Sequence, residues 1–280
     1  MIEESHGVMN QYIEYATQSF TLPDICLRLR NVLDDPRSDM DDIAALISID
    51  PSLTAKLLRL ANSALFRFPS QIESITKAVS VIGGEALYNL VLAETANIAF
   101  KHFDNQCLIV DKHWEQSVFT GMLAKYLAKD MNVRGSDRFF VMGILQNLSE
   151  LVIAKCEPEK YQQYAKDDLP GTPWDRQVAH FGFLFTECSG SIMEQWKLPM
   201  PLFYPVKFAH NRVKLASDLD VSLLTCAIRL STAHYQRERY PELDIISPDM
   251  VQLLPLDDEV LQNAILFAQK ETNKVAVSVL

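Results

Sequence analysis

The side chains in this sequence that could do chemistry are few, and none stands in a recognisable catalytic arrangement. His180 and His210 have no carboxylate at a spacing that would form a catalytic triad, so each is predicted to be a satisfied or an exposed histidine. The cysteines are odd in number, lie in mostly apolar surroundings and include no pair at zinc-site spacing, which predicts reduced thiols in the core. They are Cys26, Cys107, Cys156, Cys188 and Cys226.

Two neighbouring amides interrupt the most apolar stretch of the chain. The run from Phe139 to Ile153 is apolar on nearly every side, which predicts a central core helix whose few polar residues must find partners. Gln146 and Asn147 are the amide pair inside it. On their own, two amides in a core helix are expected to hydrogen-bond to neighbouring backbone or side chains.

The clearest helix in the sequence begins at Asp50. An aspartate there can accept hydrogen bonds from the free amides of the first turn, and Pro51 suits the first helical position because its missing N–H is not needed. Apolar residues then recur at helical spacing beside a polar stripe, which predicts one buried face. The apolar set is Leu53, Leu57, Leu60, Ala61 and Ala64, and the polar set is Ser52, Lys56, Arg59 and Ser63.

A second amphipathic helix follows and ends at Gly83 and Gly84, which suit a left-handed helix end. Its apolar stripe is Ile72, Ile75, Val79 and Ile82. Helical patterns continue to the end of the chain, including one from Gln177 to Trp196, and strands do not alternate with helices anywhere. No Gly-rich phosphate loop occurs. The pattern predicts an all-α fold, a compact two-lobed helical bundle.

The run from Asp50 to Gly84 resembles the signature of HDOD proteins, a name that stands for HD-related output domain. The resemblance covers about residues 20–211 and implies an all-helical bacterial regulatory module whose second lobe is like that of the HD-type metal phosphohydrolases. The signature positions are Asp50, Pro51, Leu57, Asn62, Ser63 and Gly83. The expected organisation is a leading helix in 1–19, a first lobe in about 20–105, an HD-like lobe in about 106–211, and a C-terminal helical extension in 212–280 packed on the HD-like lobe.

The resemblance also places uncharged residues where HD enzymes hold a metal ion with histidine and aspartate. The segment WEQS at 114–117 resembles the family's W-x-H-S, and GILQN at 143–147 resembles its G-L-L-H-D. The positions of this degenerate pocket are Gln116, Gln146, Asn147, Phe185, His210 and Thr232. Amides are poor ligands for a catalytic divalent cation, so no metal, other cofactor or hydrolysis is expected. The pocket is then either a structural relic or a site that binds some ligand.

Composition limits the remaining classes of function. The 280 residues are 48% hydrophobic, which is typical of a soluble globular protein, and no apolar run approaches the roughly 20 residues that span a bilayer. The N-terminus lacks the layout of a signal peptide, so a cytoplasmic location is expected. The balance of 26 basic against 36 acidic residues gives a net charge of −10, which disfavours a large nucleic-acid surface.

The favoured hypothesis is a non-enzymatic signalling module that binds other signalling proteins. Cyclic di-GMP or two-component pathways are implied by the resemblance alone. Lys56, Arg59 and Asn62 are the candidates for a partner-facing surface, although Asn62 and Ser63 are expected rather to tie the turn that follows them. The alternatives are a divergent phosphohydrolase or nucleotide-binding protein that uses the degenerate pocket, and nucleic-acid binding through Lys56, Arg59 and Arg67.

Overall fold

The protein is all-α, as the helical periodicity predicted. A computed structural model describes the backbone of residues 2–63, 66 and 71–279, and the side chains of residues 7–63, 66 and 71–272; within these residues there is no strand. The first helices are α1 Ile2–Ser19, α2 Asp24–Asp34, α3 Met40–Ser48, α4 Pro51–Ala61, α5 Ile75–Ile82 and α6 Gly84–His102. They are followed by α7 Val110–Asp130, α8 Asp137–Leu145, α9 Leu148–Cys156, α10 Pro158–Lys166, α11 Pro173–Phe181, α12 Phe185–Gln195, α13 Met200–Lys207, α14 Arg212–Leu215, α15 Leu219–Tyr235 and α16 Asp258–Val279.

The signature segment begins α4 and ends α5 as its sequence predicts, whereas α5 begins only at Ile75, so Ile72 lies before the helix rather than on its apolar stripe. The Asp50 carboxylate accepts hydrogen bonds from the backbone N–H groups of Ser52, at 2.8 Å, and Leu53, at 3.1 Å. Gly83 has a φ of +85°, a conformation that a residue with a side chain adopts only with strain, and it joins α5 to α6. These two short-range features set the ends of α4 and α5.

Asn62 closes the segment that follows α4. Its amide nitrogen donates to the carbonyl oxygens of Leu58 and Ile72, both at 2.8 Å, and its amide oxygen accepts from the N–H of Ile72 at 2.7 Å. The prediction that Asn62 ties the following turn is therefore confirmed. Ala64 and Arg67, which the sequence placed on the helix face and in a basic patch, lie outside the described residues.

Lys56 pairs with a carboxylate from the core. The Glu94 side chain on α6 is 2% exposed and forms an ion pair with the Lys56 ammonium, which is 27% exposed. Burial raises the pKa of Glu94, and the ion pair with Lys56 offsets only part of that effect. The second carboxylate oxygen of Glu94 is buried and has no hydrogen-bond partner among the described residues. Lys56 thus holds α4 to α6, which leaves Arg59 and Asn62 as the more exposed members of the predicted partner-facing set.

Two predicted helices are each broken in two. The run predicted as one core helix from Phe139 to Ile153 divides into α8 and α9 at Gln146 and Asn147, because the backbone of Asn147 leaves the helical conformation. The helix predicted from Gln177 to Trp196 divides into α11 and α12 at Gly182, whose φ of +83° ends α11 with a left-handed turn. The first break carries the two amides out of a helix interior and onto the wall of a cavity.

The lobes and the C-terminal segment share one hydrophobic core. In the first lobe α2 to α6 pack against one another, and α6 lies against α8 of the second lobe. The leading helix α1 packs on α9, α11 and α12, and α15 packs on α7, α8 and α13. Since α16 contacts α7 and also α4, we propose that the segment 212–280 is part of the same folded unit and touches both lobes rather than the HD-like lobe alone.

Helices α7 and α8 cross closely at Gly121 and Gly143. A Cβ atom at Gly143 would lie 2.6 Å from the backbone nitrogen of Gly121, and one at Gly121 would lie 2.6 Å from the carbonyl oxygen of Phe140. Only glycine allows the two backbones to come so near. Gln116 lies five residues before Gly121 on α7, and Gln146 lies three residues after Gly143 at the end of α8, so the crossing sets the separation of the two amides.

One described stretch, Asp137–Cys156, is long and apolar enough to cross a membrane. It consists of α8 and α9, and 78% of its apolar window is buried inside the protein, as in the core helix of a soluble protein. A second apolar pair, α5 and α6, is bent by 118°. The cytoplasmic location stays a prediction.

The cysteines are thiols, as predicted. Among the described residues all five are free, and Cys26, Cys188 and Cys226 are buried. Cys107 and Cys156 are only half-buried, so they lie at the margin of the core rather than within it.

Candidate functional site

A large cavity lies where α7, the α8–α9 turn, α10, α11 and α15 meet. Its volume is about 950 Å³, which is the size of a pocket for a small organic molecule. Polar groups of its wall include Gln116 and Thr120 of α7, Gln146 and Asn147 of the turn, Glu150, Gln177, Ser231, Thr232 and the loop of residues 236–241. Aromatic groups include Tyr161, Tyr164, Trp174, Tyr235 and Tyr240.

The positions that the resemblance marked as a degenerate pocket fall into two groups. Four of them line the cavity: Gln116, Gln146, Asn147 and Thr232. The other two lie one layer behind its wall. Phe185 is buried against Tyr164, with ring centroids 5.4 Å apart, and His210 lies against Trp174, with ring centroids 4.1 Å apart.

The three amides face the cavity without a protein partner. No hydrogen bond joins the side chain of Gln116, Gln146 or Asn147 to any other residue that the structure describes, so the three amides are open to the cavity. By contrast, the hydroxyls beside them are used inside the protein. Thr120 donates to Ser231 at 2.8 Å, and Thr232 donates to the carbonyl oxygen of Ile228 at 2.9 Å. The expectation that the two core amides would bond to neighbouring backbone or side chains is therefore wrong, because the helix break turns them towards the cavity.

One imidazole and one carboxylate of the cavity were not singled out from the sequence. His113 lies one turn before Gln116; its Nε2 is 3.2 Å from the carbonyl oxygen of Asn147, and its Nδ1 is 3.8 Å from the Glu150 carboxylate. Glu150 also accepts a hydrogen bond of 2.7 Å from the Tyr161 hydroxyl. Burial, together with this carboxylate, raises the pKa of Tyr161, so its hydroxyl stays protonated and donates.

Arg176 holds the far wall of the cavity in place. The side chain is 3% exposed, and its guanidinium donates to the Asp167 carboxylate at 3.0 Å, the Tyr240 hydroxyl at 2.7 Å and the Tyr164 carbonyl oxygen at 2.7 Å. Asp167 also pairs with His180. His180 is therefore a satisfied histidine, as predicted, and these contacts join α11 to α10 and to the loop after α15.

His210 is half-buried, and its ring nitrogens have an unusual environment. Both ring nitrogens are buried and neither has a hydrogen-bond partner in the part of the chain that the structure describes. The prediction of a satisfied or exposed histidine is wrong here, since Trp174 covers the ring. Its backbone φ is +69°, a left-handed conformation that costs a residue with a side chain roughly 1–2 kcal/mol. Burial, helped by the nearby Arg229 charge, lowers the pKa of His210 well below its ordinary value of 6.5.

Acid should therefore destabilise the protein through His210. The unfolded chain takes up a proton on this histidine as the pH falls through 6.5, whereas the folded chain does not until much lower, so stability is full above 6.5 and is lost below it. The loss reaches about 1.4 kcal/mol per pH unit for this one group. Urea unfolding of the wild type and of His210→Asn between neutral and mildly acidic pH should show a shallower slope for the variant, in which asparagine also tolerates the left-handed backbone.

The control for this prediction is His102→Asn, which changes an exposed histidine. It should keep the pH slope of the wild type. A slope that is the same in all three proteins would mean that His210 is protonated in the fold.

The donor groups of the cavity do not fit a catalytic metal ion. Among the described residues, no group of three histidine, cysteine, aspartate or glutamate side chains could hold one. The positions that would supply charged or imidazole ligands carry Gln116, Gln146 and Asn147, and neutral amides bind a catalytic divalent cation poorly.

Comparison with known proteins decides the family. The profile of the HDOD domain matches residues 20–212, more than half of the chain. The chain belongs to the HDOD family. The match ends before α15, so the cavity wall formed by Ile228 to Pro241 lies outside the HDOD segment.

Solved structures share the whole fold with this HDOD protein. An HDOD domain protein with unknown function from Geobacter sulfurreducens superposes with a TM-score of 0.74 over 100% of this chain and 98% of its own, at 19% identity. A candidate phosphohydrolase from Shewanella amazonensis SB2B reaches 0.70 over 97% of each chain at 20% identity. A candidate signal transduction protein from Marinobacter aquaeolei VT8 reaches 0.70 over 98% of this chain and 65% of its own at 18% identity. At these identities the likeness shows the fold alone.

An uncharacterized protein of Treponema pallidum (strain Nichols) is similar in sequence. It is 29% identical over 220 residues, which are 76% of this chain and 42% of that protein. The chain therefore spans less than half the length of this relative.

Proposed function

We propose that this HDOD protein is a non-enzymatic bacterial signal-transduction module that acts through protein–protein interaction and carries a degenerate metal site. The observation that supports it most is the convergence of uncharged side chains, Gln116, Gln146, Asn147 and Thr232, on one cavity where an HD enzyme would need histidine and aspartate. A regulatory role also agrees with the family. The partners are other signalling proteins, such as members of cyclic di-GMP or two-component pathways.

Arg59 is the best probe of the proposed partner-facing surface. It lies exposed on α4, whereas Lys56 pairs with Glu94 and Asn62 ties the chain to Ile72. Changing Lys56 or Asn62 would therefore alter the fold as well as the surface. Arg59→Ala changes the surface and leaves the Lys56–Glu94 ion pair and the Asn62 hydrogen bonds in place.

Capture of partners from the cell of origin tests the proposal. Tagged wild-type protein should retain a signalling protein, and Arg59→Ala should reduce its recovery roughly five-fold or more, the loss expected for a contact of about 1 kcal/mol or greater. The matched control is Arg28→Ala, which removes an arginine that is 53% exposed on α2 of the same lobe. Equal recovery with both variants would place the interface elsewhere.

The alternative of a metal-dependent phosphohydrolase predicts a different result. The purified protein should then contain stoichiometric iron, manganese or zinc and hydrolyse phosphodiesters, and both properties should vanish in Gln146→Ala/Asn147→Ala. We expect neither metal nor turnover, because His113 and Glu150, the imidazole and carboxylate near these amides, belong to no group of three such side chains among the described residues that could hold a metal ion. Turnover that depends on the two amides would overturn the non-enzymatic assignment.

Nucleic-acid binding is the remaining alternative and is weaker. Of the three basic residues that it would use, Lys56 is paired with Glu94 and Arg67 lies outside the described residues. It predicts binding to DNA or RNA that weakens steeply with salt. No detectable binding at low salt would dismiss it.

A further inference from the structure

The amide side chains on the cavity wall form a more specific set than a structural relic of a metal site would require. Gln116, Gln146 and Asn147 come from two sides of the α7–α8 contact and face the same space. No hydrogen bond within the described residues uses these three amides, so their donors and acceptors are open to the cavity. A ligand in the cavity can therefore pair with all three.

Primary amides recognise a particular kind of ligand edge. Each presents an N–H donor beside a C=O acceptor, so it matches a flat ring on which donor and acceptor atoms are neighbours. The edges of nucleobases have this pattern, and asparagine and glutamine bind adenine through two such hydrogen bonds. Aromatic side chains complete such sites by stacking on the base. Tyr164 and Trp174 bring aromatic rings to the wall of the same cavity.

The mouth of the cavity carries charged side chains, whereas the amides inside it are neutral. Gln236 to Arg239 are exposed and form its rim. The wall contains three arginines, Arg176, Arg237 and Arg239, against two glutamates, Glu150 and Glu238, in a chain whose net charge is −10. Arg176 is saturated by protein acceptors and Arg239 donates to the Asp167 carbonyl oxygen, whereas Arg237 makes no hydrogen bond or ion pair with any described residue. Arginine at an open rim is suited to bind phosphate.

We propose that the cavity binds a ribonucleotide. The base lies inside, where Gln116, Gln146 and Asn147 pair with its edge and the aromatic wall stacks on it, and the phosphate lies at the mouth beside Arg237. This inference goes beyond the proposed function, which holds whether or not the cavity takes a ligand. A bound nucleotide would make the module a sensor of nucleotide supply.

Thermal unfolding of the full chain with defined probes tests the proposal. The monophosphates of adenosine, guanosine, cytidine and uridine are each added at about 5 mM, which would still load a site of roughly 1 mM affinity. At least one should raise Tm, by roughly 5 °C if it is present at about 100 times its Kd. Ribose phosphate at the same concentration should not. No shift with any of the four, or an equal shift with ribose phosphate, would overturn the proposal.

Three variants locate the site. Gln146→Leu keeps the size of the side chain and removes the amide, so it should abolish the shift while the free protein unfolds at the same or a higher temperature. Gln163→Leu makes the same change at an exposed site on α10 and should keep the shift. Arg237→Ala should weaken binding of the monophosphate about ten-fold and leave binding of the nucleoside unchanged. Wild-type binding by Gln146→Leu would place the nucleotide outside this cavity and overturn the assignment.

Discussion

Replacing Gly143 by alanine should destabilise the protein by at least about 3 kcal/mol, because the new methyl group has no room. Its Cβ would lie 2.6 Å from the backbone nitrogen of Gly121 and 2.8 Å from the carbonyl carbon of Thr120, and neither is the movable end of a side chain. The two helices must separate for the methyl group to fit. Urea unfolding monitored by circular dichroism gives the change in free energy of unfolding.

The matched control is Gly7→Ala in α1. A Cβ at Gly7 would have no atom within 4 Å, so the substitution should be neutral or stabilise the protein by up to about 1 kcal/mol through helix propensity. A Gly143→Ala variant as stable as the control would show that α7 and α8 can separate without loss. If Gly143→Ala folds, the increased distance between Gln116 and Gln146 should also weaken any ligand that contacts both amides.

Removing the charge of Lys56 should also destabilise the protein by about 3 kcal/mol. The reason is that Lys56→Met leaves the Glu94 carboxylate buried without its cation. The value is at the lower end of the range for breaking buried pairs, since Lys56 itself is 27% exposed. Lys77→Met, a change of an exposed lysine on α5, should have an effect within about 0.5 kcal/mol.

The same pair predicts the dependence of the loss on pH. The pKa of Glu94 is raised in the fold, so its ionised form is unfavourable at neutral pH and the carboxyl takes up a proton as the pH falls through that raised value. The deficit of Lys56→Met should therefore shrink on acidification. Adding Glu94→Gln should recover most of the loss at neutral pH. A double variant no more stable than Lys56→Met would mean that Lys56 acts through packing rather than charge.

The local parts of the fold could be predicted from the sequence because their signals are local. Asp50 and Pro51 begin α4, and Gly83 ends α5, through contacts within a few residues. The breaks at Asn147 and Gly182 were missed for different reasons. Gly182 is a helix-ending signal that was present in the sequence, whereas the apolar residues on both sides of Asn147 match a single buried helix as well as they match two.

The site could be predicted only where the family's pattern marks it. That pattern indicated Gln116, Gln146, Asn147 and Thr232, which line the cavity, and also Phe185 and His210, which stand behind its wall. It gave no indication of His113, Glu150 or Trp174. Their positions depend on how α7, α9 and α11 pack, and residues brought together by packing leave no spacing in the sequence.

The wall that α15 and the loop after it contribute has a consequence for modular architecture. HDOD domains are defined by a segment that here ends at residue 212, yet Thr232 and Arg237 belong to the cavity. A chimera that transplants only residues 20–212 into another protein would carry the amides of the cavity without its rim. Substitutions in the segment after residue 212 can therefore change which ligand the cavity accepts while the HDOD scaffold stays the same. A graft must include the chain through residue 241 to transfer the whole pocket.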